Sequence, residues 1–269
     1  LNNIGDSGVA FHNNVRYSSA IGNIINNPTA TGIDVAGCNC CLFEGNVISN
    51  SAQYGIRLLQ NLSYQTVDNV VTGNTVYHPP NAGAFAAITI SNVERNTITN
   101  NRLLGNSSSL TERGIFIDYT STGTTTHPVT AETLYKLRGL IITGNHIERF
   151  QNGIGFDAGG GITGATITVD KNSIRLCTTG LQYTTASSEI RFTIYGQNWF
   201  FSCTNNTSGT GIVEIVYNAG IGPLDVIGDV TANNVRVGRG VGSEITNTVV
   251  GNGPLRVRTT GLYNTGMGK

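Results

Sequence analysis

An asparagine that returns at near-regular intervals constrains this chain more than any other feature. It occupies the same place in a short pattern, an apolar strand, a turn with Asn, then another apolar position. The copies read IGNII (21–25), FEGNVI (43–48), VTGNTV (71–76), VERNTI (93–98), ITGNHI (142–147), VDKNSI (169–174) and YGQNWF (195–200). The anchors are Asn23, Asn46, Asn74, Asn96, Asn145, Asn172 and Asn198, most of them 22 to 28 residues apart. The interval from 96 to 145 equals one normal step plus an insertion of roughly twenty residues. Between the anchors runs a second pattern, glycine or alanine before an alternating strand: GVAF (8–11), GIDV (32–35), GIRL (55–58), AITI (87–90), GIFI (114–117), GIGF (153–156), GLQY (180–183) and GIVEI (211–215).

A period in the twenties built from three short strands and no helix is the signature of a solenoid. Leucine-rich repeats share the period but need a leucine framework and a helical segment, and both are missing. A parallel β-helix fits, each coil stacking on the last at roughly 4.8 Å. The asparagines then have a structural reason. Asn tolerates the left-handed backbone of tight turns, and Asn stacked on Asn makes an amide ladder. The glycine before each Ile likewise reads as turn geometry; no phosphate-loop motif is present.

Composition agrees. With 35 glycines and only 12% charged residues the chain is poor in helix formers, while 39% hydrophobic content supports a packed core. Sixteen basic and sixteen acidic residues cancel, which argues against nucleic-acid binding, because phosphate neutralisation supplies most of that affinity. No apolar run approaches the roughly 20 residues needed to span a bilayer, so no membrane insertion is expected. Cys38, Cys40, Cys41, Cys177 and Cys203 lack zinc-site spacing and read as small buried hydrophobes in a reducing compartment. No cofactor or metal is expected. The chain opens inside a patterned segment, as if cut from a longer protein.

In a strand G-I-x-I-x the two apolar positions face the core and the third and fifth face out. The third-position column reads Asp34, Arg57, Thr89, Phe116, Gly155, Gln182, with Asp34 over Arg57 expected as a solvated charge pair worth well under ~1 kcal/mol. The fifth-position column reads Ala36, Leu59, Ser91, Asp118, Asp157, Thr184. Asp118 and Asp157 are thus expected side by side on adjacent coils. Like charges that close disfavour joint ionisation, so one carboxyl should hold its proton to higher pH. An acid beside a base is what glycoside hydrolysis requires, and a separation of roughly 5 Å suits retaining enzymes. These two are the candidate catalytic residues; the competing reading is a pair of solvated aspartates that splay apart.

A second outward surface follows the anchors. Its columns read Val47, Thr75, Thr97, His146, Ser173, Trp199 and Ser49, Tyr77, Thr99, Glu148, Arg175, Phe201. Tyr77, His146, Glu148, Arg175, Trp199 and Phe201 combine exposed rings with charges, which suits sugar recognition and equally suits a subunit interface. Two insertions, HPPNAGAF (78–85) and TSTGTTTHPVTAETLYKL (120–137), interrupt the coils. The second carries His127, Glu132, Tyr135 and Lys136 and leaves the coil just after Asp118, placed to wall a cleft over the aspartates.

After residue 222 the pattern changes. NTVVG (247–251) returns as NTGMG (264–268), a shorter period that marks a second module over 223–269. The segment NNVRVGRGVGSEITNTVVGNGPLRVRTTGLYNTGMGK resembles the region after the shaft of phage tail fibres and tailspikes, where G-R-G strands lead into NTxxG repeats ahead of a cleaved intramolecular chaperone. The coils at 1–222 resemble the right-handed parallel β-helix of tailspike depolymerases and pectate-lyase-like proteins.

The expected fold is therefore all-β: a right-handed parallel β-helix of about eight three-strand coils, then a small C-terminal β module for trimerisation. The resemblance implies a homotrimeric virion component, exposed to the medium after assembly in the host cytoplasm. It would bind a host surface polysaccharide, with a glycoside hydrolase as the implied enzyme class, and would join other phage tail proteins through an N-terminal region absent here. Two alternatives stay open: an adhesin of the same architecture without catalysis, and a monomeric bacterial polysaccharide lyase or epimerase.

Overall fold

The computed structural model describes residues 1, 6–60, 64–77, 85–106, 112–119, 124–126, 133–135, 138–158, 166–185, 191–193, 198–210, 230–232, 235–238, 248–250 and 265–267. Contacts gather the chain into two units, Leu1–Ile221 and Gly222–Lys269.

The larger unit is a solenoid with three parallel sheets. The first sheet stacks eight strands: Ser7–His12, Thr31–Ala36, Tyr54–Leu59, Ala86–Ser91, Arg113–Tyr119, Asn152–Ala158, Thr179–Thr185 and Asn205–Thr210. The second holds seven, from Ser19–Ile21 through Thr97–Thr99 and Arg138–Thr143 to Arg191–Thr193. The third also holds seven: Ile24–Asn26, Val47–Ser49, Thr75–Tyr77, Arg102–Leu104, His146–Glu148, Ser173–Arg175 and Trp199–Phe201. Like stacks on like. Ile33, Ile56, Ile88, Ile115, Ile154 and Leu181 form one continuous register, every one of them buried. Against this row pack Phe43, Val71 and Ile98 from the second sheet and Ile48, Val76, Leu103, Ile147 and Ile174 from the third. Burial of each such side chain contributes roughly 1.5–3 kcal/mol against the entropy of ordering the chain.

The corner between the second and third sheets carries the asparagines, and there two roles that the sequence merges fall to two different residues. The left-handed backbone belongs to the residue before the anchor: Gly22, Gly45, Gly73, Asn100, Gly144 and Lys171 all have φ between 54° and 67°. The anchor itself makes the ladder. Asn46 Nδ2 donates to Asn74 Oδ1 at 2.9 Å, Asn74 to Asn101 at 2.9 Å, Asn101 to Asn145 at 2.9 Å and Asn145 to Asn172 at 3.0 Å. Each Oδ1 also accepts the backbone N–H of the preceding anchor, and each Nδ2 also reaches a core carbonyl, as Asn145 does at Ile98 O, 2.9 Å. The ladder thus satisfies buried backbone groups that a turn would otherwise leave unpaired.

One anchor differs from expectation. The rung between Asn74 and Asn145 is Asn101, not Asn96. Asn96 belongs to a shorter ladder with Asn69, whose Nδ2 donates to Asn96 Oδ1 at 3.0 Å. This coil spells the pattern twice, once as VERNTI and once as ITNNRL, and both copies fold, one at each end of the strand Thr97–Thr99. Thr97 and Thr99 accordingly sit in the second sheet, and Arg102 and Leu104 take their expected places in the third.

The glycines of G-I-x-I-x also have a different cause from turn geometry. Gly32, Gly55, Gly114 and Gly153 lie inside strands, and none has a positive φ. A Cβ on Gly153 would stand 2.4 Å from Ile174 Cγ2 and 2.7 Å from the carbonyl oxygen of Gly180. The core isoleucine of the third sheet needs that space.

In the insertion that follows Asp118, Thr124–Thr126 and Thr133–Tyr135 pair antiparallel, unlike every coil strand. His127, Glu132 and Lys136 lie outside the described residues, as do GIVEI and most of HPPNAGAF. In the second unit Val230–Ala232, Val235–Gly238, Thr248–Val250 and Thr265–Met267 make one sheet. The two NTxxG copies meet there in parallel, Thr248 opposite Thr265 and Val250 opposite Met267.

Candidate functional site

The outward face of the first sheet is assembled by register alone. Asp118 stands directly opposite Asp157 on the next strand, and Phe116 opposite Gly155. Ser91 precedes Asp118 in its column and Thr184 follows Asp157. The two carboxyls differ in setting. Asp157 is exposed; Asp118 is partly covered. Burial pushes the Asp118 carboxyl up from its ordinary value, the charge of Asp157 pushes it further, and Arg113 opposes both.

Arg113 is the member of this group that the outward columns of the sequence leave out. It precedes the strand's glycine, stands opposite Asn152, and lays its guanidinium over the Phe116 ring with Cζ 4.0 Å from the centroid. Gly155 makes the room: a Cβ there would lie 2.9 Å from Arg113 Cδ. Burial lowers the Arg113 pKa, while Asp157 and Asp118 favour its charged form. Its Nε is buried with no hydrogen-bond partner. The readable signal was the substitution pattern, since Tyr54, Ala86, Arg113 and Asn152 form a column of their own.

The face continues toward the N-terminal coils. The Asp34–Arg57 pair is not the solvated contact expected from sequence. Asp34 is only 3% exposed and accepts both Arg57 Nε and Nη2 at 2.8 Å, while His12 Nε2 lies 3.1 Å from Asp34 Oδ2. His12 and Arg57 cover this carboxylate while remaining partly exposed themselves, so the acid end of the bidentate contact is the shielded one. Arg57 also sits over Tyr54, 5.4 Å from the ring centroid, and Tyr54 stacks on Phe85 at 5.5 Å. Burial raises the Tyr54 hydroxyl pKa, Arg57 opposes it, and Asp118 and Asp34 add to the rise.

The second predicted surface lies elsewhere. Trp199, Ser173, His146 and Arg102 make one column of the third sheet; Phe201, Arg175, Glu148, Leu104 and Tyr77 make the other. Trp199 and Phe201 are each 53% exposed. His146 Nε2 lies 3.3 Å from Glu148 Oε2, and Arg149 Nε 3.5 Å from Glu148 Oε1. Leu104 separates Tyr77 from Glu148. The sequence-predicted residues therefore divide between two sheets: the aspartates on the first, the rings and their charges on the third. Among the described residues no three His, Cys, Asp or Glu gather as a metal site.

A family model described as a right-handed β-helix region matches residues 7–199. The chain belongs to the right-handed β-helix family. The match takes in Asp118, Asp157 and all seven ladder asparagines from Asn23 to Asn198, and ends at Trp199, two residues before Phe201. No curated protein and no solved structure matches the chain. Membership fixes the all-β right-handed solenoid and the general association of that fold with carbohydrate binding and degradation; the particular chemistry rests on the residues.

Proposed function

We propose that this β-helix protein recognises and depolymerises a bacterial surface polysaccharide, as the tailspike of a phage. The reading is carried by Asp118 and Asp157, in register on adjacent strands, the first biased by burial and by its partner to keep a proton. Asp118 protonates the leaving glycosidic oxygen. Asp157, the exposed member, acts as nucleophile or base. Strands stacked at roughly 4.8 Å favour the short carboxyl separation of about 5–5.5 Å found in retaining enzymes. Arg113, held over Phe116, supplies donors to a sugar oxygen beside the reacting bond. The protein works as a homotrimer in the virion, where weak sugar sites on three chains gain avidity. Its 223–269 module joins the chains, and an N-terminal region joins them to the other tail proteins.

The test is release of new reducing ends from purified capsule and O-antigen preparations of a bacterial panel. Cleavage by the wild type, with loss in Asp118→Asn and Asp157→Asn, is the expected result. Light scattering checks the assembly, which should weigh three times the 28.4 kDa chain; a monomer would contradict the tailspike reading.

One observation favours a second reading, an adhesin without catalysis. The exposed Trp199 and Phe201 lie on a different sheet from the aspartates, so a sugar stacked on those rings need not reach Asp118. Wild-type binding to a glycan with no new reducing ends would support it.

A further inference from the structure

Two of the five cysteines occupy equivalent places on successive coils. Ser173–Arg175 pairs in parallel with Trp199–Phe201, Arg175 opposite Phe201. Carried two residues further, the same register sets Cys177 opposite Cys203, and the N–H of Thr204 donates to the carbonyl of Cys177 at 3.2 Å. Both thiols turn toward the same stretch of backbone: Cys177 Sγ donates to Arg175 O at 3.3 Å and Cys203 Sγ to Ile174 O at 3.7 Å. Stacked coils place equivalent Cα atoms roughly 4.8 Å apart, inside the range of about 4.4–6.8 Å that a disulfide spans.

The other three cysteines lack such an arrangement. Arg16, Asn39 and Val67 bridge in register, which sets Cys38 between Val15 and Thr66 and Cys40 between Tyr17 and Asp68. Cys41 lies next to Leu42, whose partners are Ser19 and Val70. None of these neighbours is a cysteine. Cys38 and Cys41 instead direct their thiols at the carbonyls of Phe11 and Val15, 3.0 and 3.9 Å away.

We propose that Cys177 and Cys203 form an inter-coil disulfide once the protein meets a small-molecule disulfide oxidant, fastening the last described strand of the third sheet to the one before it. The reduced pair is the assembled state in a reducing compartment; the staple closes outside it. The exchange runs in two displacements. Cys203, the more exposed thiol, attacks one sulfur of oxidised glutathione as its thiolate and expels one glutathione thiolate. Cys177, after giving its proton to solvent, attacks Cys203 Sγ in the mixed disulfide and expels the second. Two protein thiols are oxidised, one glutathione disulfide is reduced to two thiols, and the two protons end on the released glutathione. The cross-link lies two residues beyond Arg175 and Phe201, so it holds the exposed ring face of the third sheet in place.

The experiment treats the full native chain with oxidised glutathione, blocks remaining thiols, and maps peptides by mass. Titratable thiols in the denatured product should fall from five to three (5 − 2). One cross-linked peptide pair should contain Cys177 and Cys203, two hydrogens lighter than the sum of its parts. Cys203→Ser should keep its four remaining thiols (5 − 1) under the same treatment. Five thiols left in the wild type, a link mapped to Cys38, Cys40 or Cys41, or a glutathione adduct that stays on Cys203 would each overturn the proposal. The wild-type map alone decides the matter should Cys203→Ser fail to fold.

Discussion

The asparagine corner and the outward face of the first sheet lie on the same coils yet treat sequence in opposite ways. At the corner every rung from Asn23 to Asn198 is the same residue making the same bonds, buried from Asn46 onward. On the face each coil puts out something different: Asp34, Arg57, Thr89, Phe116 and Gly155 in one column, Ala36, Leu59, Ser91, Asp118 and Asp157 in the other. Repetition in a solenoid records what stacking needs, and departure from repetition records what the surface is for. Two carboxylates in succession, with Ser91 before them and Thr184 after them in the column, are such a departure.

Substitutions can break that contrast, and the largest expected effect is on chemistry. Asp118→Asn should lower the rate of glycan cleavage by about 10²–10⁴-fold, as loss of a general acid does, while leaving the urea midpoint unchanged or slightly raised, because a half-buried charge and its repulsion with Asp157 are removed. Asn145→Ala should do the reverse. It strips acceptors from the Asn101 backbone N–H and Nδ2 in a buried corner and should cost on the order of 3 kcal/mol in urea unfolding. Gly153→Ala forces a methyl against Ile174 and the Gly180 carbonyl and should cost about 2 kcal/mol in the same assay. The smallest effect sharpens the difference between sheets. Trp199→Ala should weaken binding to a recognised glycan by about tenfold, a loss of roughly 1.4 kcal/mol, with kcat unchanged. A fall in kcat instead would join the two faces into one site.

Much of this was legible in the sequence because a solenoid converts spacing into contact. The G-I-x-I-x phase fixed that Asp118 meets Asp157, and the structure has them opposite each other. Spacing does not reveal crowding. The glycines of the first sheet look like turn residues until the isoleucine behind them is placed, and Asp34 looks solvated until His12 and Arg57 close over it. Nor does it reveal direction within a column. Arg113 precedes its glycine, so its alignment with Asn152 is plain, yet its lean over Phe116 into the gap at Gly155 depends on side-chain shape. The doubled pattern around Asn96 and Asn101 shows a further limit: where two rungs fit, only the partner coil selects between them.

The sign of the pH response follows from the raised Asp118 pKa. A carboxyl whose folded pKa is raised supports the folded state at low pH, and that support is lost as pH rises through the folded value. Asp118 should therefore contribute a downward slope of stability with rising pH that Asp118→Asn abolishes. Whether the two carboxyls act as a pair can be measured without substrate, by carbon-detected NMR titration of the Asp118 side-chain carboxyl in the wild type and in Asp157→Asn. Asp118 should titrate above an ordinary aspartate and move back down when Asp157 loses its charge. An ordinary titration midpoint, indifferent to the substitution, would mean the two carboxylates do not act as a pair.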